Sequence, residues 1–139
     1  MSVGRIFTEQ VHTALPDETA QTAAQRMGEY GVGSLIVVDD DGCPTGILTD
    51  RDLALRVVAA AKDPRTTPIE DLMTPCPAKV RRDNSIDEAL GIMRSGTHRR
   101  LPVIDDQGRL QGVVGLDDIL NSLANDMKQI GNLLADESP

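Results

Sequence analysis

The sequence predicts an α+β fold of two tandem β-α-β-β-α units packed through their sheets as a pseudo-twofold pair. The first observation behind this is a repeated stretch: GILTDRD at residues 46–52 returns in weaker form as GVVGLDD at 112–118. The second is that residues 2–54 slide onto 68–120 without a gap. Identities fall at Thr8/Thr74, Asp17/Asp83, Ala23/Ala89, Met27/Met93, Leu35/Leu101, Val37/Val103, Gly42/Gly108, Gly46/Gly112 and Asp52/Asp118, among others. Self-similarity of this kind marks a duplicated structural unit. The third is size, because a unit of about fifty residues buries too little surface to stand alone and must share a core with its copy.

The elements follow in order within each copy. A short strand is expected near 11–15 and again near 78–81. Ala20, Ala23, Ala24 and Met27 recur at helical spacing, as do Ile86, Ala89, Leu90 and Met93, so each set predicts an amphipathic helix. Ser85 followed by Glu88 is a capping-box pattern before the second of these. The apolar runs LIVV at 35–38 and LPVI at 101–104 predict buried strands. Acidic residues followed by Gly42 or Gly108 predict a turn with positive φ at the glycine. A second strand through 46–48 or 112–114 then leads into a helix, the first running from about 50 to 62 before Asp63-Pro64 stops it. These elements divide the chain into a first repeat at 2–62, a linker at 63–68, a second repeat at 68–122, and a helical extension with a polar tail at 123–139.

Composition narrows the function. Of 139 residues 40% are apolar, but Phe7 and Tyr30 are the only Phe, Tyr or Trp, so base stacking on aromatic platforms is not expected. The net charge of −8 opposes non-specific binding to nucleic acid or an anionic membrane. Lys79, Arg81, Arg82, Arg94, Arg99, Arg100 and Arg109 nevertheless cluster between 79 and 109, which suits a small anionic ligand. Cys43 and Cys76 form no CxxC, and free thiols in a reducing cytoplasm are the simpler expectation. The opening residues form no signal peptide, and no apolar run is long enough to span a bilayer. His12, His98, Cys43 and Cys76 lack metal-ligand spacing, so no metal site is expected. No nucleophile–base constellation is apparent, and the protein is expected not to be an enzyme.

The chemistry concentrates where a strand gives way to a helix at 49–52. Free N–H groups and the positive end of the helix favour an anion there. The Asp52 carboxylate has the chemistry to accept both hydroxyls of a ribose, as acidic residues do in dinucleotide folds. Gly46 leaves room for a ligand or a neighbouring backbone. Thr49-x-x-Asp52 equally fits a helix N-cap. In the second copy Gly115 removes the capping hydroxyl while Asp118 remains, which points to a separate job for the carboxylate.

The Gly-Ile-Leu-Thr-x-x-Asp stretch after an apolar strand and an Asp-Gly turn, duplicated in weaker form within 139 residues, resembles the CBS domain pair, or Bateman module. THRRLPVID at 97–105 is similar to the family's second-strand signature. The resemblance covers about residues 2–120 and implies a stand-alone CBS pair that binds adenosine ligands in two clefts between the repeats. AMP, ADP or ATP is the implied ligand, with S-adenosylmethionine or a dinucleotide such as NAD as alternatives. It further implies a regulatory module that reports ligand state to an unidentified protein partner through a conformational or dimer-interface change, with a homodimer expected. An interaction or stability module without a physiological nucleotide is the rival reading.

Carried onto this chain residue by residue, the resemblance puts Thr49 and Asp52 in one cleft, with Arg99 and Arg100 facing its phosphates and Thr13 and Ala14 near the adenine. The other cleft would use Asp118 with Gly115 in place of Thr, together with Ser34, Leu35 and Arg51. On this assignment the Asp52 cleft prefers phosphorylated ligands, the Asp118 cleft is weaker or different, and Asp117 approaches the Asp52 cleft.

Overall fold

The structure is a computed structural model that describes residues 1–75, 78–96 and 99–137. Cys76 and His98, both weighed above, lie outside the described residues. Strand β1 (Thr13–Ala14) runs parallel to β2 (Ser34–Val38), which pairs antiparallel with β3 (Pro44–Thr49), and helix α1 (Ala20–Tyr30) connects β1 to β2. Helix α2 (Asp50–Leu53) follows β3 at once and continues as a π turn over Ala54–Val58. The second copy has the same order: β5 (Val80–Arg81), α3 (Ile86–Gly96), β6 (Arg100–Ile104), β7 (Leu110–Gly115) and α4 (Leu116–Asp136). The last helix of the second repeat and the extension that follows it form one continuous α4.

Local rules account for most of these boundaries. Thr19 accepts the Thr22 N–H at the start of α1, and Gly31 ends it in the left-handed region at φ 64°. At α3, Ser85 Oγ accepts the Glu88 N–H, while the Glu88 carboxylate takes the Ser85 hydroxyl and the Asn84 amide. The two hairpin turns are built alike. Asp39 Oδ1 accepts the N–H groups of Asp41 and Cys43, Asp105 Oδ1 accepts those of Gln107 and Arg109, and Gly42 and Gly108 take φ of 81° and 82°.

A further strand, β4 (Thr74–Pro75), reveals how the copies are joined. It begins the second repeat in sequence yet pairs with β3 of the first, making a four-stranded sheet β1-β2-β3-β4. Ile69 and Leu72 are fully buried in the first core with Leu35, Val37 and Leu48. The opening segment does the converse. Val3 is buried in the second core with Leu101, Val103 and Val114, Ile6 and Phe7 pack against it, and Thr8 bridges to Val113. Each core therefore takes its first segment from the other sequence repeat.

The repeated glycines follow from this exchange. A Cβ at Gly46 would meet Met73 and the Thr74 carbonyl, and one at Gly112 would run into the Thr8 carbonyl and the Phe7 ring. The crossing segments occupy the room these glycines leave, chiefly through the Met73 side chain at Gly46 and the Thr8 backbone at Gly112.

One ion pair ties α1 to the loop after β1. The Arg26 guanidinium forks onto Glu18 at 2.9 and 2.7 Å and also donates to the Thr13 carbonyl, while Glu18 accepts the Leu15 N–H. The Arg26 hydrogen bonds hold the Glu18 carboxyl below its ordinary pKa, with burial opposing them. A depressed folded-state pKa gives stability that is present above the unfolded value and lost as pH falls through the folded one. Glu18→Gln should thus cost about 1 kcal/mol at neutral pH. That difference should close on acidification, as urea titrations across pH would register.

Candidate functional site

Both strand–helix junctions are tied by their acid. At the first, the Thr49 N–H donates to Asp52 Oδ2 at 2.9 Å, and Thr49 Oγ1 accepts the Asp52 N–H at 3.1 Å, completing a capping box. At the second, the Gly115 N–H donates to Asp118 Oδ2 at 2.8 Å, and the reciprocal bond is lost with the hydroxyl. Asp118 thus keeps a capping role without its threonine, so its presence alone does not require a ligand. A Cβ at Gly115 would collide with Asp117, whose carboxylate lies where the Thr49 side chain lies in the other copy.

The two copies touch where equivalent positions meet. Arg100 Nη1 stands 3.3 Å from Ser34 Oγ, and these residues are equivalent under the 66-residue repeat shift. Farther along, the Leu110 N–H donates to the Gly42 carbonyl at 2.9 Å, bringing the two hairpin turns together. The pseudo-twofold axis passes between Ser34 and Arg100, so the guanidinium lies where the two copies meet.

The Asp118 side of this border is a cleft that opens to solvent. Val11, Val32, Ile36 and Val113 give it apolar walls. Thr8, Gln10, His12, Ser34, Arg100, Asp117 and Asp118 supply polar groups, and Gly115 lines its floor. Its shape thus combines an apolar slot with a carboxylate acceptor and one guanidinium. The His12 ring is stacked on Tyr30 with centroids 4.1 Å apart. A chain almost without aromatics still places one aromatic stack at the cleft.

The expected residues divide on placement. Asp118, Gly115 and Ser34 line the Asp118 cleft together. Arg100, expected across from Asp52, lines the Asp118 cleft as well, because the β6–β7 register sets it opposite Gly115. Asp117 also faces this cleft and so stays with its own repeat. Leu35 is fully buried in the first core, one residue out of phase with Ser34 and Ile36 on the cleft face of β2. Ala14 is buried in the same core, and Thr13 joins it along a separate groove with Arg26 and Tyr30. Arg51 is exposed on α2 and is not among the described residues lining the Asp118 cleft. Arg99 is exposed, and its carbonyl accepts the Leu116 N–H at the start of α4. Thr49 and Asp52 stay together through their capping box.

The residues not anticipated are Thr8, Gln10, Val11 and His12. They reach the Asp118 cleft because the opening segment crosses to the second core. Their repeat equivalents are positions 74 and 76–78, of which 76 and 77 lie outside the described residues.

The family model of the CBS domain matches residues 3–59 and 69–125. The chain belongs to the CBS domain family. As a CBS pair it is 39% identical over 120 residues to an uncharacterised protein of Methanopyrus kandleri, a match covering 86% of this chain and 61% of the relative. Hypoxic response protein 1 of Mycobacterium tuberculosis is 39% identical over 106 residues, 76% of this chain and 73% of its own length. A crystal structure of Hypoxic Response Protein I with two coordinated zinc ions superposes with a TM-score of 0.77 at 35% identity, covering 87% of this chain and 98% of that one. A CBSX2 structure in complex with AMP superposes with a TM-score of 0.74 at 25% identity, covering 89% of this chain and 97% of that one. Among the described residues of this CBS pair, no group of three or more His, Cys, Asp or Glu is placed to hold a metal ion. No described helix is long and apolar enough to cross a membrane.

Proposed function

We propose that this CBS pair is a non-catalytic regulatory module that binds an adenine nucleotide in the Asp118 cleft and signals its presence to a protein partner. The observation that carries this is the meeting of Asp118, Arg100 and an apolar slot in one cleft. The slot accepts a base, and Asp118 Oδ1, which has no partner among the described contacts, accepts ribose hydroxyls. Arg100 meets phosphate oxygens in a planar fork. The AMP held by the CBSX2 relative supports the same ligand class.

The two clefts differ at 49/115 and 51/117. Asp117 beside the Asp118 cleft opposes a long polyphosphate, so a monophosphate such as AMP fits best there. The Asp52 cleft, with Thr49 and without that carboxylate, is the better candidate for ADP or ATP. The paired Asp117 and Asp118 carboxylates also favour a second reading, the cationic tail of S-adenosylmethionine.

Signalling requires that the ligand bind two states of the module with different affinity. The movable element is the repeat–repeat contact at Ser34 and Arg100, within an expected homodimer. Thermal melting against AMP, ADP, ATP, S-adenosylmethionine and NAD tests the ligand class. A ligand at one hundred times its Kd should add about 2.7 kcal/mol of stability. A melting temperature indifferent to every member of the panel would leave the rival reading, an interaction module without a nucleotide.

A further inference from the structure

We infer that the stacked rings of His12 and Tyr30 form a base-stacking platform for the Asp118 cleft, with His12 meeting the base and Tyr30 supporting it from behind. On the nucleotide reading of that cleft, on which this inference rests, Asp118 takes the ribose and Arg100 the phosphate. The base is left to the remaining wall, where His12 stands among Val11, Val32, Ile36 and Val113 and is the one residue with a flat π face. The scarcity of Phe, Tyr and Trp argued against such a platform, but a histidine ring also stacks on bases.

The imidazole is placed from two sides. The His12 carbonyl accepts the Ile36 N–H at 3.1 Å, which fixes the residue beside β2. The Tyr30 ring lies against the imidazole with centroids 4.1 Å apart and planes 16° from parallel. Tyr30 is the last residue of α1, and one turn earlier Arg26 donates to the carbonyl of Thr13, the residue after His12. No described hydrogen bond claims the imidazole, so the stack is what orients it.

His12 lines both the Asp118 cleft and the neighbouring groove, whereas Tyr30 lines the groove and not the cleft. Tyr30 therefore covers the groove side of the imidazole and leaves its other side to the cleft. Tyr30 is 52% exposed, so burial in the core does not account for its position. The repeat equivalents of the two residues are Ala78 and Gly96, neither of which has a ring. Both members of the stack thus belong to one cleft, and base affinity becomes a further difference between the two.

Calorimetric titration with AMP and with ribose 5-phosphate separates the base from the rest of the ligand. His12→Leu, which keeps the apolar bulk but not the ring, should lose roughly 5–150-fold in AMP affinity. Its affinity for ribose 5-phosphate should equal that of the wild type. His12→Phe should recover most of the AMP loss. Tyr30 is a positioning residue, so Tyr30→Leu should lose part of the AMP affinity alone and Tyr30→Phe should restore it. If His12→Leu fails to melt cooperatively, proton NMR of the wild type replaces it. Tyr30 is the only tyrosine, and AMP should move its ring signals and those of His12, while ribose 5-phosphate should not. Ring signals that answer both ligands alike, or a folded His12→Leu that binds AMP as the wild type does, would overturn the platform and leave the nucleotide reading standing. A wild type that binds neither ligand would overturn both.

Discussion

Gly112→Val should remove a large fraction of the folding free energy of this protein. The added Cβ would press on the Thr8 carbonyl and the Phe7 ring. Thr8 cannot simply withdraw, because its N–H donates to the Val113 carbonyl at 2.9 Å and its carbonyl accepts the Val113 N–H at 3.0 Å. Overpacking costs about 1–3 kcal/mol, and two bridging hydrogen bonds are worth about 1 kcal/mol each, so a total near 3–5 kcal/mol is expected. Against a usual stability of about 5–15 kcal/mol this is a large fraction. Gly46→Ala should cost far less, about 1 kcal/mol, because the nearest obstacle is the flexible Met73 side chain. Urea denaturation of both variants measures the difference. Equal, small losses would mean that the exchanged opening segment does not lie across β7.

Arg100→Ala should weaken AMP binding with little change in stability. The side chain is exposed, and Ser34 Oγ is its one described partner. Charge-assisted hydrogen bonds to phosphate are worth about 2–3 kcal/mol together, which corresponds to roughly a 30–150-fold loss of affinity. Adenosine, which lacks phosphate, should bind wild type and variant alike. Arg100→Lys should recover part of the loss, since it restores the charge without the fork. Calorimetric titration with AMP and adenosine separates these outcomes. An AMP affinity untouched by Arg100→Ala would place the phosphate elsewhere.

What the sequence made legible was local or repeated. The duplication, the turns at Gly42 and Gly108 and the Thr49 cap each depend on a few neighbouring residues, and the structure has all of them. The exchange of opening segments was hidden because residues 2–8 and 68–74 are equivalent in pattern. Either segment satisfies either core, and nothing within a repeat says which one it enters.

Several expected site residues lie elsewhere than anticipated for that reason. His12 and Gln10 were not expected at the Asp118 cleft because their segment was expected to serve its own repeat. Leu35 and Ala14 turn their side chains into the core for a simpler cause. Strand residues alternate between faces, and one position separates the core from the cleft. Asp118 was read as a carboxylate freed from capping, but its bond to the Gly115 N–H shows that half of a capping box persists without a hydroxyl.

The central claim is that the Asp118 cleft holds an adenine nucleotide by its ribose. Calorimetric titration of AMP into the Asp118→Asn variant tests it most directly, because asparagine can still accept the Gly115 N–H while losing the charge that grips two hydroxyls. The account predicts about a 30-fold or greater loss of AMP affinity relative to wild type, at about 1–2 kcal/mol per weakened hydrogen bond, with thermal stability little changed. AMP binding equally well to both proteins would contradict it.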